Sequence, residues 1–237
     1  MRINRVLSLL FLAAVPGAGA AAAAELNLTE PPFSAVSISS GLSATVQVGP
    51  VQSVRAEGPN AAAFDRLKAK VSDGTLSLWI EGNVVSWFFT FGQQKPLVVT
   101  ITTPELKSAD ANSGATVDVA GFTGDTVSVS ASSGATMSAA LAATQRANVD
   151  VSSGAHLKLT GACDQMLANV SSGASLEAGA VPCKGINANV SSGGSASVNA
   201  TDSVNADASI GGSITIRGRP QKTLTNSSVG GSVSLTP

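Results

Sequence analysis

The chain has 237 residues, of which 12% are charged, with a net charge of −1 and 43% hydrophobic content. So few charges argue against nucleic acid as a partner, since phosphate binding needs a concentrated basic surface. Abundant Val, Leu, Ile and Ala argue against disorder, and polar positions filled mainly by Ser, Thr and Asn suit strands and turns rather than helix.

Residues 1–24 read as an export signal. Arg2 and Arg5 precede an apolar run from Val6 to Val15, Pro16 and Gly17 break it, and Ala20 to Ala24 supply small residues for cleavage. The run is shorter than the ~20 residues of a spanning helix. No later stretch is apolar enough to span a bilayer, so no transmembrane segment is expected in the mature chain. The expected location is the periplasm, the outer-membrane surface or the outside.

Residues 25–109 form an amino-terminal β-rich region, expected to hold the first coils and a cap. Ala35 to Ser40 and Ala44 to Val48 alternate around Gly41. Residues 60–68 (NAAAFDRLK) predict a short helix with Asn60 as N-cap. Asp73-Gly74 between alternating runs predicts a hairpin, and residues 96–103 (PLVVTITT) a further strand. Ser86 to Phe91 holds Trp87, Phe88, Phe89 and Phe91, four of the nine aromatics. These rings are read either as an exposed binding loop or as a plug for the end of the fold.

Residues 110–237 carry a repeat. Segments open at Gly114, Gly134, Gly154, Gly173, Gly193, Gly211 and Gly230, with spacings of 20, 20, 19, 20, 18 and 19. Three residues on stand Val117, Met137, Leu157, Leu176, Ala196, Ile214 and Val233, and apolar residues recur two positions later. Between them lie Asp118, Ser138, Lys158, Glu177, Ser197, Thr215 and Ser234. One face is buried and one is wet. A unit this short cannot bury its own apolar face, so coils must stack. The fold class predicted is all-β: a single-stranded parallel β-helix, or solenoid, with 19–20-residue coils and a glycine at each corner. An antiparallel sandwich is the competitor, but it does not explain why the same columns recur. Cys163 and Cys183 stand one repeat apart, which places them on neighbouring coils within disulfide range.

FSAVSISSGLSATVQVG, VRAEGPN, VSDGTLSLWI and PLVVTITTPELKSADANSGATVDV, followed by SSGA repeats, resemble in order and spacing the head GIN domain family of auto-transporter-type adhesins. The resemblance implies a bacterial envelope β-helix of poorly defined biochemical role, with no catalytic residues to carry over. No translocator barrel follows in this sequence, so self-secretion is not expected.

No catalytic constellation emerges. The carboxylates Asp110, Asp118, Asp150, Glu177 and Asp207 lie on outward columns. Asp150 and Asp207, like Asp118 and Glu177, are expected three coils apart, roughly 14 Å at the usual strand spacing, which is too far for acid–base work across one bond. His156 is the only histidine, and neither a triad nor a zinc set can be assembled around it. The row Thr116, Thr136, Ser175, Ser195, Ser213 and Ser232 reads as a solvated face or a flat binding strip. No cofactor or metal is expected. The favoured reading is a non-catalytic, adhesin-like binding or scaffold module, with envelope glycan, protein or a second copy as partner. A β-helix carbohydrate-active enzyme and a self-associating structural module are the alternatives.

Overall fold

The computed structural model describes residues 24–82 and 97–236. Of the predicted signal (residues 1–24) all but Ala24, and the aromatic segment Trp87, Phe88, Phe89 and Phe91, lie outside these described residues.

The repeat folds as the alternation dictates. Strands β8 (Ser108–Ala111) and β9 (Thr116–Val119) flank the first regular corner, and β10 (Thr126–Ala131) leads into the long β11 (Thr136–Val151). Then follow β12 (His156–Val170), β13 (Ser175–Val190), β14 (Ser195–Ser209), β15 (Ser213–Arg217), β16 (Lys222–Ser228) and β17 (Ser232–Thr236). Neighbouring coils pair in parallel, as in Met137↔Leu157↔Leu176↔Ala196↔Ile214↔Val233. The result is a parallel β-solenoid of about six turns, about 20 residues apart. Each long strand passes through an irregularity in its register with a neighbouring coil. In β11 the register shifts between Leu141 and Thr144, which changes the offset to the next coil from 20 to 19 residues.

The inward rows fill the interior. Met137, Leu157, Leu159, Leu176, Ile214 and Ile216 are all at most 1% exposed. Each such side chain contributes roughly 1.5–3 kcal/mol through removal from water. The row loosens at the last coil, where Leu235 is 55% exposed.

The corners are tighter than a single glycine requires. At the turn Ser152–Ala155, Ser153 has φ 53° and Gly154 φ 71°, and Ala155 N–H donates to Ser152 O at 3.1 Å. Two consecutive left-handed residues make a primed turn of the kind that joins hairpins. Gly154 N–H then donates to Ser172 O on the next coil at 3.0 Å, so the corners are themselves hydrogen-bonded in a column. The glycine is required by its φ rather than by crowding, because a Cβ there meets nothing within 4 Å. Serine shares the left-handed position in five of the regular corners (Ser113, Ser133, Ser153, Ser172 and Ser192). In the last two, Ile210 (φ 49°) and Val229 (φ 50°) occupy it, a conformation β-branched residues resist.

Stacking order departs from chain order at the amino-terminal side. Strands β2 (Ala35–Ile38) and β3 (Ser43–Val48) pair in parallel with β8 and β9, and Gly41 N–H donates to Ser113 O at 3.0 Å. The coil containing Gly41 is therefore the direct neighbour of the one containing Gly114. On its other side lie β6 (Thr75–Ile80) and β7 (Val98–Thr103), again parallel. The stack then closes with antiparallel strands: β5 (Leu67–Ser72) on β6, β4 (Ser53–Gly58) on β7, and β1 (Ala24–Leu28) on β4. The Asp73-Gly74 hairpin forms as predicted, with φ 51° and 73°. The helix expected over residues 60–68 is shorter. Only Ala61–Phe64 forms a 3-10 turn, capped by Asn60, whose Oδ1 accepts from Ala63 N–H at 3.1 Å. Leu67 and Lys68 belong instead to β5, because pairing with β6 satisfies their backbone.

Candidate functional site

Parallel stacking in register turns each outward position into a column running along the solenoid. On the face upstream of the corner, Ser37, Asp110, Ser130, Asp150, Asn169, Asn189, Asp207 and Asn226 occupy successive rungs. These residues bond to one another. Asn169 Nδ2 donates to Asp150 Oδ1 at 2.9 Å, and Asn189 Nδ2 donates to Asn169 Oδ1 at 3.2 Å. The Asp110 carboxylate accepts from Ser37 Oγ and Asn112 Nδ2, both at 2.8 Å, and from Ser130 Oγ. Ser37 and Ser130 stand on the coils to either side, so the carboxylate ties three coils together.

Downstream of the corner the hydroxyl row predicted from the sequence is in register. Ser195 Oγ lies 3.4 Å from Ser175 Oγ, and Ser232 Oγ lies 3.3 Å from Ser213 Oγ. His156 sits in this row, with Nε2 3.3 Å from Glu177 Oε1. Both side chains are exposed. The carboxylates are distributed as the spacing predicted. Asp150 and Asp207 are three rungs apart, and so are Asp118 and Glu177, with Lys158 on the rung beside Glu177. Among the described residues, no cluster of three or more His, Cys, Asp or Glu could hold a metal.

Cys163 and Cys183 are register partners on adjacent coils, buried, with Cα atoms 4.6 Å apart, which is disulfide distance. Beside them, Lys184 Nζ lies 2.8 Å from Asp164 Oδ1, and this bond raises the lysine pKa.

The sequence reading missed one feature. A shallow cleft of about 270 Å³ runs along the upstream face, between the column Gln165–Gly185–Ser203–Lys222 and the column Asn187–Asn205–Leu224. The available signal was Gly185, a bare position in an outward column.

These features define a parallel β-solenoid, flanked at its amino-terminal side by antiparallel strands, with ladders of small polar side chains on its faces. The family model for the "Putative auto-transporter adhesin, head GIN domain" matches residues 32–220, and the chain belongs to that family. No curated protein matches the chain. Among solved structures it is similar to a putative adhesin from Bacteroides fragilis NCTC 9343, with TM-score 0.78 and 19% identity over 92% of this chain and 98% of that one. It is also similar to a putative adhesin from Parabacteroides merdae ATCC 43184 (TM-score 0.66, 15% identity, 91% and 96% covered). A third is a putative lipid binding protein from Parabacteroides distasonis ATCC 8503 (TM-score 0.65, 14% identity, 91% and 97% covered). At these identities the likeness is one of fold. Among the described residues, no helix is long and apolar enough to cross a membrane.

Proposed function

We propose that the protein is an exported, non-catalytic, adhesin-like module that binds its partner through the outward faces of the solenoid. The observation that carries this reading is the build of those faces: continuous columns of hydroxyl and amide side chains, with the carboxylates of each column spread along it or tied up in ladders. Membership of a family named for adhesins supports an envelope setting. The solenoid interior is filled by Leu, Ile, Val, Met and Ala side chains, which favours the surface over an internal cavity as the contact region.

The test is a binding screen of the exported, folded protein against immobilised envelope polysaccharides and extracellular proteins, with product analysis on the same samples. Saturable binding without product is expected. Polysaccharide turnover by the wild type that disappears in Asp150→Asn or Glu177→Gln would overturn the non-catalytic assignment. Absence of binding across the screen would overturn the adhesin-like one.

A further inference from the structure

The lateral cleft differs from the rest of the face in four respects. First, it adjoins a position with no side chain, whose space a neighbour fills. Gly185 stands between Gln165 and Ser203 in its column, and a Cβ there would sit 2.3 Å from Gln165 Oε1. The Gln165 amide therefore lies over the bare position and forms a wall of the cleft. Second, its amides are unspent. Asn187 and Asn205 are register partners one rung apart, placed like Asn169 and Asn189, which do bond to each other. Among the described residues, however, the side chains of Asn187, Asn205 and Gln165 hold no hydrogen bond, so donors and acceptors both point to solvent.

Third, the column Leu167–Asn187–Asn205–Leu224 places a large apolar residue at each end of the amide pair. Leu167 is 39% exposed and Leu224 is 59% exposed. Fourth, Lys222 closes the cleft with a cation that has no ion-pair partner among the described residues, whereas Lys184 is held by Asp164.

Paired amides serve both as donors and as acceptors for hydroxyls, and exposed leucines match the C–H faces of pyranose rings. Two separated cations, Lys222 at one end of the column and Arg146 beside Gln165 at the other, suit carboxylates spaced along a sugar chain rather than a chain of phosphates, which would need a cationic contact for each unit. The four rungs span about 14 Å at the strand spacing, the reach of a short oligosaccharide rather than of a single ring. Strands β12, β13 and β14 are paired on both edges, so among the described residues an added peptide strand has only the outer edge of β16 to join, beyond Lys222 and Leu224.

We propose that this cleft is a binding site for a carboxylate-bearing (uronic acid) oligosaccharide. Gln165, Asn187 and Asn205 bond its hydroxyls, Leu167 and Leu224 contact ring faces, and Lys222 pairs with its carboxylate. The proposal rests on the binding-module reading and gives it a location and a ligand class.

The experiment is a titration of the exported, folded protein with a tetrasaccharide of galacturonic acid, and separately with maltotetraose as the neutral probe. It is followed through the side-chain NH2 resonances of Gln165, Asn187 and Asn205. The acidic probe should move these resonances at millimolar concentration or below. Lys222→Ala should weaken it about tenfold, the loss of one favourable charge contact, and leave the weaker neutral probe unchanged. Gly185→Gln should close the cleft and abolish the shifts. If that variant fails to fold, Ser203→Gln fills the same space from a partly exposed position. Equal affinity for the two probes overturns the acidic assignment. Unmoved amide resonances, or shifts that survive Ser203→Gln, overturn the site. Binding to another face in the broader screen would leave the adhesin-like reading standing while removing this one.

Discussion

Reduction of the Cys163–Cys183 pair should loosen two adjacent coils by a calculable amount. The sulfur-bearing residues are 20 apart in sequence and register partners in β12 and β13. A cross-link that closes a 20-residue loop removes about 11 cal/mol/K of chain entropy from the unfolded ensemble, or about 3 kcal/mol at room temperature. For a chain of this size that corresponds to a fall in Tm of roughly 6–12 °C. Comparing oxidised with reduced wild type leaves packing unchanged, so it isolates the cross-link in a way that Cys→Ala substitutions would not. Most contacts of a coil are with its immediate neighbours, so amide exchange should accelerate first in β12, β13 and the adjoining half of β14. The assay is non-reducing peptide mapping of exported protein, followed by melts and hydrogen exchange with and without a phosphine reductant. Two free thiols in the exported protein would sink the pairing. An oxidised sample whose melt and exchange pattern match the reduced one would refute the entropic account.

The remaining predictions concern corners, core and ladder. Gly154→Ala should cost about 1–2 kcal/mol in thermal or denaturant melts despite the empty space around the site, because the penalty comes from φ; a neutral result would remove the left-handed assignment. Ile210→Gly and Val229→Gly should each raise stability by up to about 1 kcal/mol by relieving the same strain in β-branched residues, and a loss instead would show that those side chains make contacts that outweigh it. Leu176→Ala should cost about 2–5 kcal/mol, against less than about 0.5 kcal/mol for its outward neighbour Glu177→Ala; comparable costs would contradict the inward and outward assignment. Asp110→Ala should cost about 1–3 kcal/mol by orphaning the donors of Ser37, Asn112 and Ser130. Asp207→Ala, which lacks that triple contact, serves as the comparison, and similar melts for the two would refute the tie.

The inward rows were legible because period-2 alternation and a fixed coil length are local facts. Val117, Met137 and Leu157 could be aligned by counting from their glycines. The corners were half legible. Gly154 announces a left-handed residue, but Ser153 does not, because serine tolerates that conformation without favouring it. The stretch 60–68 misled because alanine-rich composition favours helix locally, while the pairing of Leu67 and Lys68 with β6 depends on residues about a dozen positions away. The cleft was hidden for a different reason. Its walls come from four coils, and which residues share a column depends on register shifts such as those between Lys158 and Cys163 and between Cys183 and Gly185. Those shifts fall inside the long strands, and repeat counting from the glycines does not carry past them.

The meeting of Gly49 and Thr103 has a consequence for how such a protein can vary. Gly49 N–H donates to Thr103 O at 3.0 Å, so the ends of β3 and β7 meet although they are far apart in sequence. The described strands between them include the antiparallel β4 and β5 as well as β6, which stacks in parallel on β2. Closing a longer loop adds only about 0.6 kcal/mol per doubling of its length. The capping end can therefore lengthen, shorten or exchange its contents while the coils from Ser108 onward keep their register. The coils from Ser108 onward are a fixed shaft, and the segment between Gly49 and Thr103 is the fitting that can be changed on its end.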